Sequence, residues 1–360
     1  IEDSRTELLD GLKSGGRSQG FYMNGKLYIL TGADYIVFDG TAAKRVTDDD
    51  AYCPLTSYQR KPTGGGEAYE SVNMLCKWRK NRFVGDGSST TYQLDVTDID
   101  EGATPAASYF ITGESITVQS YDAEKGTVTF ASAPKAPENA GTSNVEIKFA
   151  KTTEDRNKIL GCTIFAIYGL DGSSNRVFVS GNSAHGASEW FSGLDDPTYF
   201  PDTGYTRMGT DASAIVGYLK QYESQVVVKS GGAQEATSYL RTYMMADDGS
   251  ALYPLKQGAQ GEGAISSRCF AVLNDLPLYL SARGVQGVYG TAVAEQRTIR
   301  LVSDAIVPKL SQETDLQSAC AVVFEGKYYL AVNGHIYVAD GSLTEENGDP
   351  AWFFWVNVPA

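Results

Sequence analysis

The densest collection of chemically capable side chains lies between residues 181 and 202, GNSAHGASEWFSGLDDPTYFPD. Carboxylates, aromatics, prolines and a histidine share one short stretch. Three kinds of chemistry fit it. Glu189, Asp195, Asp196 or Asp202 could supply the acid and base of a glycosidase, which needs two carboxyl groups flanking one bond. Trp190, Tyr199 and Phe200 could form a stacking platform for a glycan or a peptide. Or the stretch is an ordered connection, its prolines fixing turns and its Asp side chains accepting backbone amides. The third reading is favoured, and the candidate binding surface is Trp190, Asp195, Asp196, Tyr199 and Phe200. No catalytic, cofactor-binding or metal residue is assigned.

Other chemistries find fewer supports. A Ser-His-Asp arrangement would have to use His185 or His335, and no nucleophile-elbow pattern accompanies either. His335 reads as a hairpin-turn residue. The five cysteines (Cys53, Cys76, Cys162, Cys269 and Cys320) form no CxxC pair. Cys162 and Cys320 sit in apolar runs, as core thiols do. Reduced thiols and folding in a cytoplasm are expected. Zinc is not expected from two unpaired histidines, nor calcium from Asp122, Glu124 and Gly126. The triplet Gly64-Gly65-Gly66 opens no helix, so it reads as a loop or hinge and not as a phosphate cradle.

Composition narrows the classes further. The 360 residues carry a net charge of −14, which repels a phosphate backbone and argues against broad nucleic-acid binding. The one basic run, Lys77-Trp78-Arg79-Lys80 with Arg82, reads as a solvated turn. No apolar run is long enough to span a membrane. The chain begins at Ile1, so natural N-terminal residues are expected to precede it, and residues 4–12 read as a short helix or a strand lead-in.

The elements that must position these groups are β-strands. Residues 322–341, VVFEGKYYLAVNGHIYVADG, hold two apolar runs around Asn333-Gly334, a strong two-residue hairpin signal. Residues 21–40, FYMNGKLYILTGADYIVFDG, match them at six positions without a gap: Gly25/Gly326, Lys26/Lys327, Tyr28/Tyr329, Val37/Val338, Asp39/Asp340 and Gly40/Gly341. Further hairpins begin near 163, 215, 272 and 323, steps of 52, 57 and 51 residues, the period of a four-stranded propeller blade. The step from 22 to 163 is too long for one blade. Residues 75–151 have a different texture of short strands and turns. They read as an inserted Ig-like β-sandwich module.

The expectation is therefore all-β: a propeller of about five to seven blades over 1–74 and 152–360, with the module over 75–151. A sixth blade could draw on residues 352–358. Blade cores are expected at Tyr28, Ile29, Phe165, Ile167, Val216, Val227, Val272, Leu280, Val323 and Leu330.

Three segments carry a family resemblance. RVFVSGN, SGLDDPTYFPDTGYTRMG and DASAIVGYLKQYESQVVVK, within 176–229, resemble bacteriophage and prophage structural proteins. These are head-to-tail or tail-accessory propellers, such as the packaged-DNA stabilisation proteins of short-tailed phages. ISSRCFAVLNDLPLYLSARGVQGVYG and LVSDAIVPKL continue the likeness, and the inserted module resembles β-modules of phage tails and fibres. The resemblance spans about 4–358 and rests on structural motifs, so it transfers no site residue. It implies a non-enzymatic virion component without cofactors, made in a bacterial cytoplasm. Its partners would be other virion proteins or a host-surface glycan. A carbohydrate-binding or adhesion propeller and a propeller glycoside hydrolase are the alternatives.

Overall fold

The computed structural model describes residues 6–13, 18–170, 173–231, 236–290 and 297–356. It is all-β, and among the described residues no helix is long and apolar enough to cross a membrane. The chain divides into two compact units, Ile1–Gly161 with Trp190–Tyr205, and Cys162–Glu189 with Thr206–Ala360.

The first unit opens with a four-stranded antiparallel meander, Gln19–Met23, Lys26–Leu30, Tyr35–Phe38 and Ala43–Arg45. Asn24 and Gly25 turn its first corner with φ of 52° and 75°, the left-handed pair that a tight two-residue hairpin requires. Residues 6–13 form no regular element, and residues 4 and 5 of the expected lead-in lie outside the described residues.

The remainder of this unit is a β-sandwich. One sheet runs, edge to edge, Ser115–Ile116, Ala106–Tyr109, Val145–Ala150, Trp78–Phe83, Leu55–Arg60 and Glu67–Ala68. The facing sheet is Val118–Asp122, Thr127–Phe130 and Thr91–Gln93. Alternate residues of both sheets fill one core, including Phe83, Tyr92, Val128, Phe130, Ile147 and Phe149, all at most 1% exposed. Truncating such a buried aromatic to alanine costs roughly 3–5 kcal/mol.

The module expected over 75–151 thus begins earlier. Leu55–Arg60 lies parallel to Trp78–Phe83, and Glu67–Ala68 pairs with it antiparallel. The glycine triplet closes that hairpin: Lys61 and Gly64 exchange backbone hydrogen bonds of 3.1 and 2.9 Å. Gly66 (φ 90°) lies so close to strand Leu55–Arg60 that a Cβ would fall 2.7 Å from the Tyr58 carbonyl. The basic run is likewise not a turn. It forms an inner strand whose residues alternate between faces, with Arg79 buried and Arg82 Nε on Glu146 Oε2 at 2.8 Å. Asp122 keeps both carboxylate oxygens on Lys125, at 2.9 Å from its backbone nitrogen and 2.8 Å from Nζ.

Four further four-stranded meanders follow in chain order, the last three of them within the second unit. They are Ile164–Leu170, Ser173–Ser180, Ser188–Phe191 and Tyr205–Arg207; Ile215–Gln221, Ser224–Lys229, Ser238–Arg241 and Leu255–Gln257; Ala271–Leu273, Leu276–Ser281, Gly284–Gly290 and Arg297–Leu301; and Cys320–Phe324, Lys327–Val332, His335–Thr344 and Pro350–Trp355. The small hairpin Met244–Met245 with Ala251–Leu252 is inserted in the second of these. The strands Ile164–Leu170 and Ser173–Ser180 reach into the loop expected over 169–175, and residues 171 and 172 lie outside the described residues. Leu278, Leu280, Tyr328, Leu330 and Tyr337 share a core drawn from the last two meanders.

Two expectations need correction. Pro350–Trp355 pairs with His335–Thr344 as the fourth strand of the last meander, so it founds no sixth sheet, and residues 357–358 lie outside the described residues. Of the expected blade-core residues, Ile167 and Val272 are exposed at 39% and 37%, while Ile29, Phe165, Val216 and Val323 are half-buried. The neighbours Ile164, Tyr168 and Leu273 are buried instead. A strand alternates faces at every residue, so an error of one position inverts the whole set. Tyr28, Val227, Leu280 and Leu330 are buried as expected.

Candidate binding surface

Residues 190–205 belong to the first unit and take shape around a residue outside the stretch, Asn73. Its side chain is fully buried and makes four hydrogen bonds. Nδ2 donates to the Tyr52 and Thr198 carbonyls, each at 2.8 Å, and Oδ1 accepts the Leu75 and Phe200 amides, each at 3.0 Å. Backbone bonds from Met74 N to the Phe200 carbonyl and from Asp202 N to the Val72 carbonyl, both 2.8 Å, complete the clamp. A buried amide with every donor and acceptor used orders the chain around it, because any other arrangement leaves a desolvated polar atom unpaired.

The clamp decides where each candidate side chain lies. Phe200 is fully buried, edge-on to Tyr35 at 6.3 Å, and Trp190 is 4% exposed. Both are core residues and leave no face for a ligand, so the expected stacking platform loses them. Asp196 Oδ1 accepts the Thr198 amide at 2.8 Å and its hydroxyl at 2.7 Å, a turn stabilised by its own side chain. Pro197 offers its carbonyl to the Tyr35 hydroxyl at 3.0 Å. Burial, more than the charge of Asp196, pushes the Tyr35 phenol well above its ordinary range.

Asp195 is exposed, has φ 52°, and receives Asn24 Nδ2 on its carbonyl at 2.5 Å. Tyr199 is half-buried, its hydroxyl on the Ser71 carbonyl at 2.9 Å and its ring 5.0 Å from that of Tyr52. Tyr52 is 38% exposed and donates to Glu70 Oε1 at 2.8 Å. Nearby in sequence, Tyr58 and Tyr69 meet edge to face at 5.3 Å, with Tyr69 65% exposed. Among the described residues, the most exposed aromatics of this unit are tyrosines outside the 181–202 stretch: Tyr22, Tyr52, Tyr69 and Tyr205.

Residues 181–189 belong to the second unit. Glu189 is fully buried and forms an ion pair with Arg241, itself 1% exposed. Tyr218 donates to Glu189 Oε2 at 3.0 Å, with Ser180 Oγ 2.8 Å from the same hydroxyl. Gln225 accepts from Arg241, whose guanidinium lies 4.0 Å from the centre of the Phe178 ring. Burial pulls the Arg241 guanidinium down from its ordinary range, while the Glu189 carboxylate holds the positive charge in place. Two charges this dry are kept by each other, and removing one partner costs roughly 3–5 kcal/mol. Glu189 is thus a structural counter-ion.

His185 sits in a turn, its amide on the Asn182 carbonyl at 3.0 Å. His335 is not a turn residue; it starts the strand His335–Thr344, with Nδ1 2.7 Å from Glu313 Oε1. Tyr337 at 2.7 Å and Asn333 at 3.0 Å also donate to that carboxylate, and with His335 they hold it below its usual range. Among the described residues, no three His, Cys, Asp or Glu side chains are grouped to hold a metal ion.

Sequence reasoning overlooked Asn73 and Arg241. Asn73 stands in an unremarkable SVNML segment and nothing in sequence marks it. Arg241 ends the strand Ser238–Arg241, where a lone arginine beside Leu240 was a signal for an inward charge needing a partner.

No known protein family matches the chain, and no curated protein matches it. Solved structures are similar to it, two of them as follows. One, a Bacteroides fragilis protein described as exported, is 8% identical over 98% of this chain and 73% of its own, with a TM-score of 0.36. The other, the extracellular domain of a protein described as a one-component system of B. thetaiotaomicron, is 10% identical over 87% of this chain and 31% of its own, with a TM-score of 0.30. Both scores lie below the level at which a shared fold follows.

Proposed function

We propose that the protein is a five-bladed β-propeller with one inserted sandwich module. Its role is that of a non-enzymatic structural component of a phage or prophage virion, in head-to-tail connection, tail accessory work or DNA retention. The observation that carries the non-enzymatic reading is the use made of the 181–202 stretch. Glu189 is consumed by Arg241, Asp196 by its own turn, and Trp190 and Phe200 by the core. The propeller reading rests on five four-stranded meanders, the last four of them consecutive. Within the second unit, the opening strand of each meander neighbours the opening strand of the next, as strands lining an axis would. The virion assignment rests on the family resemblance of segments 176–229 and 265–310.

The test is particle analysis. An epitope-tagged chain expressed in a host that produces the particles should copurify with them through a density gradient, and its deletion should leave particles incomplete or empty. A tagged chain found only free in the lysate, or on the cell surface, overturns the assignment. Turnover of a glycan panel that is lost in Asp195→Asn or Asp196→Asn overturns the non-enzymatic reading.

A glycan-binding role is the second reading, and the Tyr58–Tyr69 pair favours it, with Tyr69 65% exposed. Binding on a glycan array that is lost in Tyr69→Ala, with an unchanged melting temperature, would support it. Variants of Trp190 or Phe200 cannot test that reading, since both belong to the core.

A further inference from the structure

The structure places two thiols at the foot of the sandwich, and their neighbours are tied to one another by hydrogen bonds. Asn73 Nδ2 holds the carbonyl of Tyr52, the residue before Cys53, at 2.8 Å. The same Asn73 heads the turn that carries Cys76, accepting the Cys76 amide on its carbonyl at 3.2 Å and the Leu75 amide on Oδ1 at 3.0 Å. On the other side, the Pro54 carbonyl accepts the Lys80 amide at 2.9 Å. Residues on both sides of Cys53 are thereby fixed to residues on both sides of Cys76, and the two thiols lie close enough to shift each other's ionisation.

Their exposure differs in the way a redox pair requires. Cys76 is 1% exposed, with its Sγ 3.2 Å from the Asp48 carbonyl. Cys53 is half-buried. The Cys76 thiol first, then the Lys80 and Lys148 ammonium groups, favour the Cys53 thiolate, the attacking form. Cys162 and Cys269 differ: both are fully buried, and burial pushes the Cys269 thiol up to about 12.

We propose that Cys53 and Cys76 form a reversible intramolecular disulfide, with a small disulfide such as oxidised glutathione as the oxidant. The Cys53 thiolate attacks one glutathione sulfur, the glutathione S–S bond breaks, and the first glutathione leaves as a thiolate that takes up a proton. Cys76 then gives up its proton and attacks the Cys53 Sγ of the mixed disulfide, expelling the second glutathione. Two electrons pass from the cysteines to the glutathione pair. The new bond staples the lead-in of strand Leu55–Arg60 to the turn that feeds strand Trp78–Phe83.

The experiment uses the full chain in buffers of graded oxidised-to-reduced glutathione, followed by alkylation and intact-mass measurement. The wild type should lose two of its five thiols and the mass of two hydrogens, keep no glutathione, and melt at a higher temperature until dithiothreitol is added. Cys53→Ser should lose no thiol under the same conditions, and Cys76→Ser should retain one glutathione on Cys53. Non-reducing peptide mapping of the wild type gives the pairing even if a variant fails to fold. Glutathione persisting on the wild type, thiol loss mapped to Cys269 and Cys320, or no reaction across the series would each overturn the proposal.

Discussion

The first and last meanders share a sequence pattern and differ in the face they bury. At an offset of 301 residues, Met23 opposite Lys26 becomes Phe324 opposite Lys327, and Phe21 opposite Tyr28 becomes Val322 opposite Tyr329. The register is the same, and so is the turn: Asn24-Gly25 and Glu325-Gly326 both take left-handed φ values, 52° and 75° against 47° and 72°. Burial is reversed. Phe21, Met23 and Tyr28 are 4%, 8% and 3% exposed, whereas Val322 and Phe324 are 59% and 61% exposed and Tyr329 is half-exposed. In the last meander the inward face belongs to Tyr328 and Leu330, both at 0%. A repeated hairpin therefore carries its turn and its ladder with it, but which side is buried depends on the surfaces packed against it.

The comparison can be broken most forcefully at the matched tyrosines. Tyr28→Ala and Tyr328→Ala should each cost roughly 3–5 kcal/mol, and Tyr329→Ala, the match of Tyr28 in sequence, less than about half of that. Denaturant midpoints for the three variants would show it, and equal losses at Tyr28 and Tyr329 would erase the distinction. The turns should behave alike where the faces do not. Gly25→Ala and Gly326→Ala each force a Cβ into left-handed backbone with no close neighbour, so both should lose about 1–2 kcal/mol, and losses differing by more than that would show that the corners are not equivalent. Glu325→Asn should gain a few tenths of a kcal/mol, because Asn tolerates that φ better than Glu; a loss would contradict the turn assignment.

The smallest effect concerns the matched aspartates. Asp39 is held by the Thr41 and Ala42 amides and the Thr41 hydroxyl, while Asp340 binds Ser342 and also pairs with Lys327. Lys327 first, then Ser342, lowers the Asp340 carboxyl to about 2. Its folded value lies below its unfolded value, so its contribution is present above the unfolded value and is lost as pH falls through about 2. Asp340→Asn should therefore lower the urea midpoint at neutral pH and converge with the wild type in strong acid. A constant offset across that range would mean the carboxylate charge plays no part.

These contrasts also mark how much was readable beforehand. Asn24-Gly25 and Asn333-Gly334 announce their corners because few residue pairs accept left-handed backbone, and that constraint is local. The short strands and turns of 75–151 were visible as a change of texture, and the all-β class followed. Faces were harder: Ile167 and Val272 are as apolar as Ile164 and Leu273, and only the neighbouring sheet decides between them. Two members of the candidate surface, Trp190 and Phe200, were placed wrongly for a similar reason. Trp190 and Phe200 look like ligand-stacking residues until Asn73, more than a hundred positions away, draws their loop inward. The start of the sandwich was missed because its parallel pair, Leu55–Arg60 with Trp78–Phe83, has no hairpin turn to reveal it.

The strand order of that sandwich sheet has a consequence for how the chain is made. Val145–Ala150 is the last of its strands to leave the ribosome, yet it lies between Ala106–Tyr109 and Trp78–Phe83. Until it arrives, the nascent sheet is two separate pieces with unpaired edges facing an empty lane. The meanders close strand by strand as they emerge; the sandwich cannot close before residue 150. Its assembly should be the slow step of synthesis, and the interval before its last strand is when the chain is most open to pairing with a wrong partner.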